Sequence, residues 1–167
     1  MKKLLSFLVV SVLLLTLIPV AFAGNAPELV IGSIEINEGD TTASVAVEFK
    51  NNPGITYAKF YPQFDSNVLS ISAKSDIEGG LFSNSELKYA AKTGAITYNY
   101  ENMDSGNMTD SGVIFTINFN VATGAKAGTY AITFNIDEIS NFEGVEIQDS
   151  VTNTAVGVTV MSDPFVT

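Results

Sequence analysis

Cysteine, histidine, tryptophan and arginine are all missing from this chain of 167 residues, and each absence closes off a class of function. Without His or Cys there is no Ser-His-Asp triad, no Cys nucleophile and none of the usual His- or Cys-based zinc sites. No disulfide framework supports the fold. With 8 basic residues against 18 acidic ones, the formal charge is −10 at pH 7. Nucleic acid is excluded as a partner, because phosphate binding rests on Lys and Arg releasing counterions. The catalytic chemistry left is a carboxylate pair acting as acid and base on a sugar. The available pairs, Glu35 with Glu48 and Asp137 with Glu138, fall on outward strand positions or in turns, where solvated surface charge is the simpler reading. No enzyme activity and no cofactor are expected.

Metal ligands are no better represented. The loop Asp104-Ser105-Gly106-Asn107-Met108-Thr109-Asp110 is rich in side-chain oxygen but lacks the spacing and closing Glu of an EF-hand, and ordinary turn chemistry accounts for it. Asn107-Met108-Thr109 also fits the glycosylation sequon.

What is present begins with Met1-Lys2-Lys3, an apolar stretch from Leu4 to Val20, and Ala21-Phe22-Ala23 with the small-x-small form of a secretory cleavage site. Residues 1–23 read as a signal peptide, with a retained membrane anchor as the alternative. Cleavage predicts a secreted, extracellular protein with no membrane association. Residues 24–160 have the size of one domain able to bury its own core, and 161–167 form a polar tail expected to fray. The acidic balance suits a soluble protein and favours partners with a basic patch.

Short alternating runs separated by Gly, Asn, Asp and Pro clusters predict an all-β sandwich of about nine strands. Leu29–Ile36 reads as one strand, followed by the turn Asn37–Asp40 and by Thr42–Phe49. The turn Asn51–Gly54 leads into Ile55–Phe64, then Val68–Ala73, and Lys74–Thr93 reads as a long polar stretch. Ala95–Glu101 alternates with Ile96, Tyr98 and Tyr100 inward. Val113, Phe115, Ile117, Phe119 and Val121 are assigned inward, as are Tyr130, Ile132, Phe134 and Ile136. Thr154–Val160 is the last strand.

Phe60, Phe64, Phe115, Phe119 and Phe134 fall on inward parities and read as core, and in Tyr57–Phe64 the full inward set is Ala58, Phe60, Pro62 and Phe64. Tyr57, Lys59, Tyr61 and Gln63 therefore face out. Two tyrosines flanking a lysine fit the centre of a protein-binding patch, where Tyr is enriched. They also fit the general preference of tyrosine for strands.

Taken together, Gly39-Asp40-Thr41, Phe64-Asp65-Ser66-Asn67-Val68-Leu69, Gly112-Val113-Ile114-Phe115, Ala125-Lys126-Ala127-Gly128-Thr129 and Gly157-Val158-Thr159-Val160 resemble, in order and spacing, the cohesin domains of cellulosome scaffoldins. The resemblance covers Glu28 to Val160. It implies a nine-stranded jelly-roll β-sandwich and a non-catalytic module that binds dockerins, the calcium-loaded helical tags of secreted polysaccharide-degrading enzymes. Contact with polysaccharide would come through those partners, and the calcium belongs to the dockerin. In the family the dockerin lies across a sheet built from strands 8, 3, 6 and 5. The resemblance then assigns strand 3 to Tyr57, Lys59, Tyr61 and Gln63, strand 5 to Thr97, Asn99, Glu101 and nearby Asn102, and strand 6 to Thr116 and Asn118. A loop around Val145 to Ile147 would close one end. Many cohesins carry Asn and Asp where this chain has Tyr57 and Lys59, and a lysine there favours an acidic or hydroxyl-bearing dockerin surface. A carbohydrate-binding module of similar sandwich fold is the alternative, against which the missing tryptophan counts. A surface adhesin and a carboxylate-based glycosidase are further rivals.

Overall fold

The computed structural model of the chain describes residues 25–101, 106–154 and 156–162. The leader assigned to residues 1–23, Asn102 and most of the tail lie outside these residues. Twelve strands are formed: β1 (Glu28–Ile31), β2 (Ile34–Asn37), β3 (Thr42–Lys50), β4 (Tyr57–Gln63), β5 (Leu69–Ser70), β6 (Ile77–Gly79), β7 (Leu87–Ala90), β8 (Ala95–Asn99), β9 (Gly112–Val121), β10 (Gly128–Ser140), β11 (Thr152–Thr154) and β12 (Val156–Met161). One sheet runs β11-β1-β3-β9-β5 with β6 also on β9, and the other runs β2-β12-β10-β4-β8-β7. The sandwich is the one that alternation implies, and its extra strands each have a local cause.

The run expected as a single strand over Leu29–Ile36 splits at Gly32-Ser33, sending β1 to one sheet and β2 to the other. Gly32 N donates to Ala46 O at 2.8 Å, and a Cβ on Gly32 would stand only 3.1 Å from that oxygen. The C-terminal run splits in the same way into β11 and β12. β1 pairs with β11 and β2 with β12, both in parallel, so the two ends of the domain cross between the sheets together. The inward set changes parity across the crossing, with Leu29 and Ile31 before it and Ile36 after it, but the unbroken apolar run Leu29-Val30-Ile31 leaves either parity open and so hides the break from a pattern search. The stretch Lys74–Thr93 is likewise not a plain loop: it holds β6 and β7 and buries Ile77, Phe82 and Leu87.

β9 corrects one inward assignment. Val113 is 43% exposed and Ile114 is 0% exposed. Phe115 pairs with Val47 and Val113 with Glu48, so Ile114 is the extra residue of a β-bulge that shifts the parity. The segment Gly80–Phe82 lies over this bulge: Gly80 N and Phe82 N donate to Ile114 O, and Leu81 N donates to Val113 O. A Cβ on Gly80 would come within 2.3 Å of Val113 O, so only glycine permits this approach.

Between the sheets Phe115 packs against Phe60, Phe82 and Phe134, with ring centroids 5.9, 6.2 and 6.1 Å away. Tyr98 stacks on Phe82 at 3.6 Å and is fully buried, and its hydroxyl has no hydrogen-bond partner among the described residues. Burial, reinforced by Glu86 and Tyr100, pushes that hydroxyl well above the ordinary tyrosine value of 10.0. The folded chain therefore keeps a proton that the unfolded chain releases, and stability falls as pH rises above about 10, by up to ~1.4 kcal/mol per pH unit. Tyr98→Phe should flatten that decline and leave neutral-pH stability equal or up to about 1 kcal/mol higher. Denaturant titrations at pH 8 and pH 11 check this; parallel losses in parent and variant would refute the assignment.

Candidate docking face

The outward side of β10-β4-β8-β7 is a polar field with an aromatic centre. Tyr57, Lys59 and Tyr61 alternate with buried Ala58 and Phe60 and are half-buried; Gln63 is exposed. Strand pairing lays out the rows. Lys88, Thr97, Lys59 and Glu138 are successive cross-strand partners over four strands. Asn99 lies opposite Tyr57, Tyr61 opposite Asn135, and Gln63 opposite Thr133. β4 has β10 on one side and β8 on the other, so the two tyrosines occupy the middle of the sheet.

The register of β10 against β4 shifts between Ile136 and Glu138, leaving Asp137 as an extra residue. Its Oδ2 lies 2.8 Å from Lys59 Nζ, and the ammonium sits 5.3 Å from the centre of the Tyr61 ring. Hydrogen bonding to Asp137, and then to Tyr61, raises the Lys59 pKa. Glu138 Oε1 accepts a hydrogen bond from Ser140 Oγ at 3.3 Å. Burial, followed by the charge of Glu138, raises the Tyr57 hydroxyl. Lys59, expected to favour an acidic or hydroxyl-bearing dockerin surface, has its charge met within the face by Asp137.

At the far end of β8, the Glu86 carboxylate accepts from Ser83 N and Oγ and, at 2.9 Å, from Glu101 N. This clamp fixes the chain where it leaves β8, with Glu101 exposed beside Asn99.

Not every predicted contact residue belongs to this face. Thr116 and Asn118 lie on β9, in the opposite sheet, where Thr116 pairs with Ala46 and Glu78 and Asn118 Oδ1 accepts from Ser44 Oγ at 2.6 Å. Alternation says which side of a strand is outward but not which sheet holds the strand. In their place the structure brings β7, with Lys88 and Ala90, and β10, with Thr133, Asn135, Asp137 and Glu138. Ile147 is 7% exposed and belongs to the core, whereas Val145 at 54% and Phe142 at 55% stand out from the loop that follows β10. That loop is tied down by Asn107, whose Oδ1 accepts from Phe142 N at 2.6 Å, so the sequon asparagine already has a structural role.

The sequence matches the family model of the cohesin domain over residues 27–160. The chain belongs to the cohesin family. Among solved structures, the OlpA cohesin of Clostridium thermocellum, in a type I cohesin-dockerin complex, is 24% identical with a TM-score of 0.66, covering 82% of this chain and 100% of that one. The third ScaC cohesin of Acetivibrio cellulolyticus, solved with the ScaB dockerin, is 26% identical with a TM-score of 0.65, covering 81% and 99%. A non-cellulosomal cohesin of the archaeon Archaeoglobus fulgidus is 22% identical with a TM-score of 0.62, covering 83% and 93%. No curated protein sequence matches this cohesin.

Proposed function

We propose that this cohesin is a secreted, non-catalytic module that binds the dockerins of polysaccharide-degrading enzymes through the outward face of β10-β4-β8-β7. The observation that carries the reading is the pair Tyr57 and Tyr61, half-buried at the middle of a sheet face and bracketing the fixed ammonium of Lys59. Rigid aromatic area at the centre of a patch is what concentrates binding energy in protein interfaces. The relative from Acetivibrio cellulolyticus, which shares 26% of its residues, was solved with a dockerin. A helical dockerin suits an interface of standard size, about 1,200–2,000 Å² in total.

The immobilised protein, exposed to culture supernatant, should retain dockerin-bearing proteins in calcium and release them to a chelator. Retention on insoluble polysaccharide with no dockerin-bearing protein present would instead support direct sugar binding and overturn the reading.

A further inference from the structure

If the face docks a dockerin, as proposed above, its charge pattern says which dockerins it accepts. The bulge in β10 places two carboxylates on the side of the sheet where regular alternation would place one: Glu138 stands opposite Lys59, and Asp137, the extra residue, reaches Lys59 Nζ at 2.8 Å. One ammonium offsets one carboxylate. Glu138 is left with the neutral donor Ser140 Oγ and, among the described residues, no ion pair. The other cation of the row, Lys88, lies three strands from Glu138, roughly 14 Å at ordinary strand spacing, which exceeds the Debye length of about 10 Å at 0.1 M salt. Thr97, Asn99, Thr133 and Asn135 around it are uncharged, and Glu101 beyond β8 adds a further negative charge. The uncompensated charge thus lies next to the two tyrosines, at the middle of the face.

We propose that the Asp137–Glu138 bulge is the specificity element of the docking face, receiving a Lys or Arg side chain from a partner helix packed on Tyr57 and Tyr61. The chain would then select dockerins that are basic at that contact, the opposite of what Lys59 alone suggests. A desolvated charge pair of this kind contributes to partner choice and to association rate at low salt.

The test uses dockerin modules from captured proteins, titrated onto the parent and onto the double variant Asp137→Asn/Glu138→Gln, whose amides keep the shape of both side chains. Binding to the variant should be about tenfold weaker at low salt, with the parent's advantage shrinking as salt rises and the melting temperatures equal. Changing the basic contact residue of the dockerin to Glu should cost the parent a similar factor and cost the double variant little. Equal affinity of parent and double variant at all salt concentrations, or tighter binding to the variant, overturns the inference while leaving dockerin binding intact. Failure of the parent to bind any dockerin overturns both, and is recognised because it does not depend on the bulge.

Discussion

Phe115→Ala should destabilise the domain by about 3–5 kcal/mol. The ring is fully buried and touches the rings of Phe60 and Phe134 from the facing sheet and that of Phe82 from the segment laid over the β9 bulge. Truncation leaves a cavity walled by both sheets. Neither wall can move in: the β9 backbone beside it is pinned by the hydrogen bonds from Gly80, Leu81 and Phe82, and β4 and β10 hold each other in register. A site that cannot collapse sits at the high end of the range for such truncations. Against a total stability of about 5–15 kcal/mol the loss is large, and the melting midpoint should fall by roughly 10–25 °C. Phe142→Ala, at a ring 55% exposed, is the control and should change stability by no more than about 0.5 kcal/mol. Equal small losses for the two variants, read by calorimetry or denaturant titration, would show that Phe115 is not the hub of the core.

The parts of this fold that were legible in the sequence are those where period-two alternation runs unbroken. β3, β4 and β8 announce their faces, although β4 and β8 are shorter than the alternating runs Ile55–Phe64 and Ala95–Glu101, and Tyr57, Lys59, Tyr61, Thr97 and Asn99 stand outward where parity puts them. The misses have physical causes. Val113-Ile114-Phe115 is three apolar residues in a row, so parity is ambiguous there, and the bulge decides it through a backbone contact that only Gly80 allows. β6 and β7 are too short for a pattern, and their few buried residues are scattered among polar ones. Thr116 and Asn118 lie in the other sheet because chain neighbours need not be sheet neighbours: β8 and β9 are consecutive, yet they belong to different layers. The β10 bulge did leave a trace. Ile132, Phe134 and Ile136 are two apart, but the next buried apolar residue is Ile139, and that odd step requires one extra residue, which is Asp137.

Tyr57→Ala and Tyr61→Ala should each weaken dockerin binding by about 2 kcal/mol or more, roughly thirtyfold, with little change in folding stability. Both rings are half-buried against their own sheet, so they are largely ordered before a partner arrives and lose little freedom on binding. The Tyr61 ring is held further by the Lys59 ammonium, itself anchored to Asp137. Their position on β4, flanked by β10 and β8, places them where a bound helix would exclude water most completely, whereas Lys88 on the edge strand stays wet. The opposite sheet offers a matched comparison in Thr116→Ala and Asn118→Ala, whose outward side chains on β9 face away from the proposed partner. Calorimetric titration of one dockerin against all four variants separates the two faces. Loss of affinity in the β9 pair with unchanged binding in the tyrosine pair would move the docking site to the other sheet, and the tyrosines would then mark nothing more than a side chain well suited to a strand.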